Sequence, residues 1–105
     1  MKTKRILFVT GYLCSKKIYN LYDNKLDKYL KPKYYYWWND KNISLKRANE
    51  IINKYDNILC HSAGCQLVLL CFLKFGIKKK FNIVGLDGHL ISLDELVNID
   101  KININ

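Results

Sequence analysis

The sequence predicts an α/β domain of three layers, with helices on both faces of a short, mostly parallel sheet. Short apolar runs closed by turn residues alternate along the chain with segments whose apolar residues recur at helical spacing. The resulting order of strand, helix, strand, helix, strand, helix, strand implies right-handed crossovers between parallel strands. At 105 residues the chain makes a single domain, residues 1–105, because a chain of this length buries about 60–70% of its unfolded surface around one core.

Ile6-Leu7-Phe8-Val9 is an unbroken apolar run ended by Thr10-Gly11, as expected of a strand covered on both faces. From Ser15 onward, Ile18, Leu21, Tyr22, Leu26, Tyr29 and Leu30 form one stripe that closes at Pro32, the pattern of an amphipathic helix. The aromatic run at residues 34–38 ends at Asn39-Asp40 and reads as a second strand near an edge, its tyrosine hydroxyls reaching water. Leu45, Ala48, Ile51, Ile52 and Tyr55 repeat at helical spacing behind Ser44, which is suited to cap a second helix. Asn57-Ile58-Leu59-Cys60 is the third strand. The next segment, from Ala63 to Phe75, is apolar nearly all round up to Gly76, and predicts a central buried helix with a glycine cap. Residues 81–86 make the fourth strand, ended by Asp87-Gly88. Ser92-Leu93-Asp94-Glu95 matches a capping box and predicts a short helix over 93–98. Residues 99–105 are a tail or a late edge strand.

Composition narrows the function classes. Half the residues are apolar and 26% are charged, enough to build a core and too apolar for disorder. The longest apolar stretch, residues 67–75, is interrupted by Lys74 and falls well short of the roughly 20 residues that span a bilayer. The basic N-terminus runs into a short apolar strand with no small-residue cleavage site behind it, which suggests a cytoplasmic protein. The net charge of +9 comes from lysine, with only two arginines. Basic residues are scattered, the densest groups being Lys78-Lys79-Lys80 and Lys2, Lys4 and Arg5. A specific nucleic-acid interface needs clustering on one face with interleaved aromatics, so solvated surface with weak adhesion to polyanions is expected. The abundance of lysine, asparagine and isoleucine fits an AT-rich coding genome, such as that of a large DNA virus or a low-GC microbe. Cys14, Cys60, Cys65 and Cys71 lack the paired spacing of a zinc site and read as reduced thiols. Neither metal nor cofactor is expected.

The ligand crevice of an open parallel sheet lies at the C-terminal ends of its strands, where Gly11, Asp40, Ser62 and Asp87 all fall. Asp40 reads more simply as a loop aspartate. A serine placed directly between a strand and a buried helix needs a turn so tight that the residues two before and two after are small. Gly64 meets this condition, and Cys60, close to serine in size, stands at the other position. The plainer alternative for Ser62 is an ordinary helix cap.

Cys60-His61-Ser62-Ala63-Gly64 resembles the nucleophile elbow of the α/β-hydrolase superfamily, and Thr10-Gly11-Tyr12 resembles that family's His-Gly-X oxyanion loop with Thr10 in place of histidine. The similarity runs over residues 5–90 and is nearest to small serine hydrolases and esterases. It implies a minimal α/β-hydrolase-like core of four strands in the order 2-1-3-4. It also implies that Ser62 attacks the carbonyl of a small ester or thioester while the amides of Ala63 and Tyr12 stabilise the oxyanion. The chain departs from the family in ending before the later strand-helix units that carry its acid and histidine. Of the two histidines, His61 belongs to the turn and is expected to point away from the nucleophile. His89 is therefore the expected base, oriented by Asp87 or Asp94. The bland alternative makes Asp87-Gly88 a turn and His89 a surface residue. A competing reading is a catalytically inactive hydrolase-fold binding module, pairing through the aromatic strand with a partner or as a homodimer. A weaker third is phosphate binding at the N-terminus of the third helix, without a glycine-rich loop to support it.

Overall fold

The computed structural model describes residues 5–20 and 26–86. Within them, β1 (Ile6–Val9), β2 (Lys33–Tyr35), β3 (Asn57–His61) and β4 (Asn82–Leu86) form one sheet in the order β2-β1-β3-β4. Every pairing is parallel. The expected strand order and the α/β class are thus observed.

Register decides which side chains share a face, because residues paired across a parallel ladder point the same way. Leu7 pairs with Ile58 and Ile58 with Ile83; Phe8 pairs with Tyr34 and Leu59, and Leu59 with Val84. The face carrying Leu7, Val9, Tyr35, Ile58 and Cys60 is covered by α2 (Leu45–Ile52) and α3 (Ala63–Phe75), whose Leu45, Ala48, Ile52, Leu67, Val68 and Cys71 complete the main core. The opposite face carries Phe8, whose ring packs against Tyr34 at 5.4 Å and against Tyr19 of α1 (Lys16–Tyr19) at 4.5 Å. Helices therefore flank the sheet on both sides.

Three expectations are corrected. The first helix is short: α1 ends at Asn20, whose side chain and backbone N–H both bond to the Lys16 carbonyl, a local bond that competes with helix continuation. A separate single wide turn of helix covers Leu26–Leu30. The inward residue of α1 is Tyr19, whereas Ile18, assigned to the stripe, is 53% exposed. Second, the aromatic run leaves the sheet at Tyr36, and Trp37–Asn39 form a tight 3-10 turn. The cause is long-range: the Trp37 indole donates to the Thr10 carbonyl at 2.7 Å and the Trp38 indole to Thr10 Oγ1 at 3.1 Å, so both rings turn back over the end of β1. Third, α3 is not enclosed all round. Leu69 and Leu73 lie exposed, since no described element covers that flank. The short helix expected over residues 93–98 and the tail or late edge strand expected over 99–105 lie outside the described residues, as does the turn expected at Asp87-Gly88.

Among the described residues no helix is long and apolar enough to cross a membrane. All four cysteines are free thiols. Burial pushes the Cys71 thiol up to about 12 and raises Cys60 as well, with Cys65 beside it.

Candidate functional site

β3 delivers the chain directly into α3 through one residue, Ser62, at φ 50° and ψ −118°. A non-glycine residue at positive φ away from the left-handed helical well is held there by its surroundings, at a cost of about 1–3 kcal/mol. Ser62 makes no side-chain cap to the helix, which removes the plain N-cap reading and leaves its Oγ without a backbone partner among the described residues. The turn is pinned at both ends: the Ser62 amide donates to the Leu86 carbonyl at 3.3 Å, and the Cys65 amide donates to the Ser62 carbonyl at 2.9 Å.

Gly64 explains why the turn is so sharp. A Cβ there would stand 2.2 Å from the Val9 carbonyl oxygen and 2.5 Å from that of Thr10. The start of α3 thus runs against the backbone of β1 at a distance only glycine permits. The small residue expected two before the serine is Cys60, which is buried with its Sγ turned toward the Val84 carbonyl at 3.8 Å.

The loop after β1 lies beside this turn, because β1 and β3 are neighbours in register with Val9 opposite Cys60. Thr10 is fully buried, and the two tryptophan indoles grip its carbonyl and hydroxyl. The Gly11 amide donates to the Tyr19 hydroxyl at 2.7 Å. The Cys14 amide returns to the Gly11 carbonyl at 3.1 Å and closes a turn in which Leu13 takes φ 62°. Tyr12 is exposed, its ring edging Trp37 at 6.1 Å, and its amide has no acceptor among the described residues. Ala63 is the first residue of α3, so its amide is one of the donors that helix geometry leaves without an internal acceptor. The structure thereby brings Ser62, Ala63, Gly64, Cys60 and Tyr12 to the C-terminal ends of two adjacent strands.

His61 turns to the α1 face. Its Nδ1 lies 2.9 Å from the Tyr19 hydroxyl, and the two rings meet edge-on at 5.3 Å. Burial raises the Tyr19 phenol above its ordinary value, so it stays protonated and bridges Gly11 and His61. Gly11 has no room for a side chain, because a Cβ would fall 2.7 Å from His61 Nδ1. This Tyr19–His61–Gly11 bridge is what sequence reasoning missed. Tyr19 falls outside the apolar stripe, and its partner is 42 positions away; a tyrosine off the stripe of a short helix was the one available signal.

Asp40 does not serve the crevice. Its carboxylate accepts from the Asn42 amide at 3.0 Å and from the Arg47 guanidinium, and that guanidinium holds it below the usual carboxylate range. Asp87, His89 and Asp94 lie outside the described residues. β4 brings the chain to their threshold, since Leu86 pairs with His61 and its carbonyl takes the Ser62 amide. Among the described residues no three His, Cys, Asp or Glu side chains gather as metal ligands.

No family model matches the chain, and no curated protein or solved structure matches it.

Proposed function

We propose that this chain is a minimal serine hydrolase acting on a small ester or thioester. The observation that carries the reading is the backbone of Ser62: a strained positive-φ residue between strand and helix, with an uncapped hydroxyl and a helix N-terminus beside it. Strain of this kind concentrates at reactive positions. In the proposed reaction His89 takes the Ser62 hydroxyl proton as Oγ attacks the carbonyl carbon. The amides of Ala63 and Tyr12 stabilise the oxyanion. Collapse expels the alcohol or thiol, which receives the proton from His89, and water then releases the acid by the same steps. Asp87 or Asp94 orients the imidazole. His89 stands three residues beyond Leu86, a chain span of at most about 10 Å, and Leu86 is bonded to Ser62. The free cysteines suit the cytoplasmic setting this reading carries.

The test is labelling by a fluorophosphonate probe at neutral pH. Labelling that disappears in Ser62→Ala and in His89→Ala supports the reading; a folded protein that stays unlabelled overturns it.

One observation favours a second reading, a catalytically inactive interaction module or homodimer. All five residues of β4 are exposed, with Val84 at 54%, and Leu73 at 55% lies on a flank of α3 that no described element covers; an apolar edge strand with no described neighbour beyond it can template pairing with another chain. A dimer by sedimentation, in a protein the probe leaves unlabelled, selects this reading.

A further inference from the structure

A cleft of about 480 Å³ opens between the start of α1 and the turn that follows β2, with Ser15, Lys16, Lys17, Tyr36, Trp38 and Asn39 in its lining. That size is ordinary for a small-molecule site. Its aromatic wall is an angle between two rings, fixed before any ligand arrives. The Tyr36 ring stacks on Tyr34 at 6.0 Å and 9°, and Trp38 meets Tyr36 at 5.9 Å with its plane tilted by 59°. Trp38 cannot swing freely, because its indole is bonded to Thr10. Rings held in this way offer contact area at little ordering cost.

The charged residues of the lining, Lys16, Lys17 and Asp27, sum to one positive charge. Lys16 is paired with Asp27 at 3.1 Å, and Asp27 also accepts from the Tyr34 hydroxyl at 3.1 Å, so that pair is internally neutral. Lys17 is exposed and has no acidic partner among the described residues. The Tyr36 oxygen accepts the Lys16 amide at 3.0 Å, which leaves the phenolic proton without an acceptor among the described residues. Ser15 makes no side-chain cap, so its hydroxyl is a third donor. Three donors, one of them a lysine with no acidic partner among the described residues, stand beside an aromatic wall.

We infer that this cleft binds a flat, apolar molecule carrying one oxyanion, a carboxylate or a phosphate monoester. The ring lies in the angle between Trp38 and Tyr36, and the oxyanion takes Lys17, the Tyr36 hydroxyl and Ser15. Binding is independent of any reaction at Ser62. The cleft stands at the end of β2 and Ser62 at the end of β3, with β1 between them; two strand spacings make about 10 Å. One extension, that the ligand is the remote end of the ester substrate, rests on the hydrolase reading.

The experiment is a tryptophan-fluorescence titration with benzoate, phenyl phosphate and benzyl alcohol, run on the wild type and on Ser62→Ala so that failure of catalysis leaves binding measurable. At least one anion is expected to bind about tenfold or more tightly than benzyl alcohol, the scale of one charge-assisted contact, and the tighter anion identifies the oxyanion. Lys17→Glu removes the preference. Lys74→Glu, at the far end of α3, keeps it. Equal affinity for anions and alcohol, no binding of either anion, or equal loss in the two lysine variants overturns the inference. Loss of fluorophosphonate labelling with the preference intact would instead remove the hydrolase reading alone.

Discussion

Ser44 and Ser62 each stand immediately before an α-helix, yet the backbone treats them differently. Ser44 is extended, at φ −153° and ψ 164°, and its Oγ accepts from the Arg47 amide at 3.0 Å. Ser62 is at φ 50° and ψ −118°, and its Oγ caps nothing. The same residue type in the same position relative to a helix is in one case a stabilising cap and in the other a strained link. What differs is the element before it. Ser44 follows a short loop, not a strand, and the Asp40–Arg47 pair ties that loop to the helix it introduces. Ser62 follows a central strand whose register is fixed on both sides, and the helix behind it is fixed by Gly64 against β1. Neither flank can relax, so the single residue between them absorbs the mismatch.

The largest test of this contrast is at Gly64. Gly64→Ala places a methyl within contact distance of two carbonyl oxygens, and about 3 kcal/mol or more of stability is expected to be lost, read as a drop in the urea midpoint. Alanine elsewhere on α3, at exposed Leu73, is expected to have a far smaller effect.

The two serines provide the next test. Ser44→Ala removes a cap and is expected to cost about 1 kcal/mol. Ser62→Ala removes no cap and is expected to leave stability within about 0.5 kcal/mol. Ser62→Gly relieves the positive φ and is expected to stabilise by about 1 kcal/mol, after allowing for the greater freedom of glycine in the unfolded chain. Urea unfolding of the three variants orders them, and a loss at Ser62→Ala equal to that at Ser44→Ala would erase the distinction.

The smallest effect concerns acid. Arg47 holds the Asp40 carboxyl below its ordinary range, so the unfolded chain binds that proton more readily than the folded one. The stability it contributes is full above about pH 4, the ordinary carboxylate range, and is lost as pH falls through the lower folded value. Asp40→Asn is expected to flatten this acid limb in thermal melts taken between pH 5 and 2.

How much of this could be read in advance follows a physical divide. Ser44 as a cap and the spans of α3 and of the apolar strands depend on neighbours a few residues away, and local pattern carried them. The tight turn at Ser62 was legible for the same reason, since the strand, the small residue at Gly64 and the apolar helix are contiguous. The Trp37–Trp38 turn and the inward-facing Tyr19 were not, because their causes are bonds to Thr10, 27 and 28 positions away, and to His61, 42 away. An aromatic run has strand propensity, but two indole donors reaching one buried threonine outweigh it. Leu69 and Leu73 misled for another reason: hydrophobicity states what a surface favours, not whether an element arrives to cover it.

The contact between Gly64 and the carbonyls of Val9 and Thr10 joins segments more than fifty positions apart. No local preference holds Ser62 in its conformation, so that conformation exists only once the first strand has docked alongside the third. In kinetic terms the turn belongs to the last steps of folding. Relieving it with glycine is expected to slow unfolding while leaving the folding rate nearly unchanged, which makes this one residue a clock for the closing of the whole sheet.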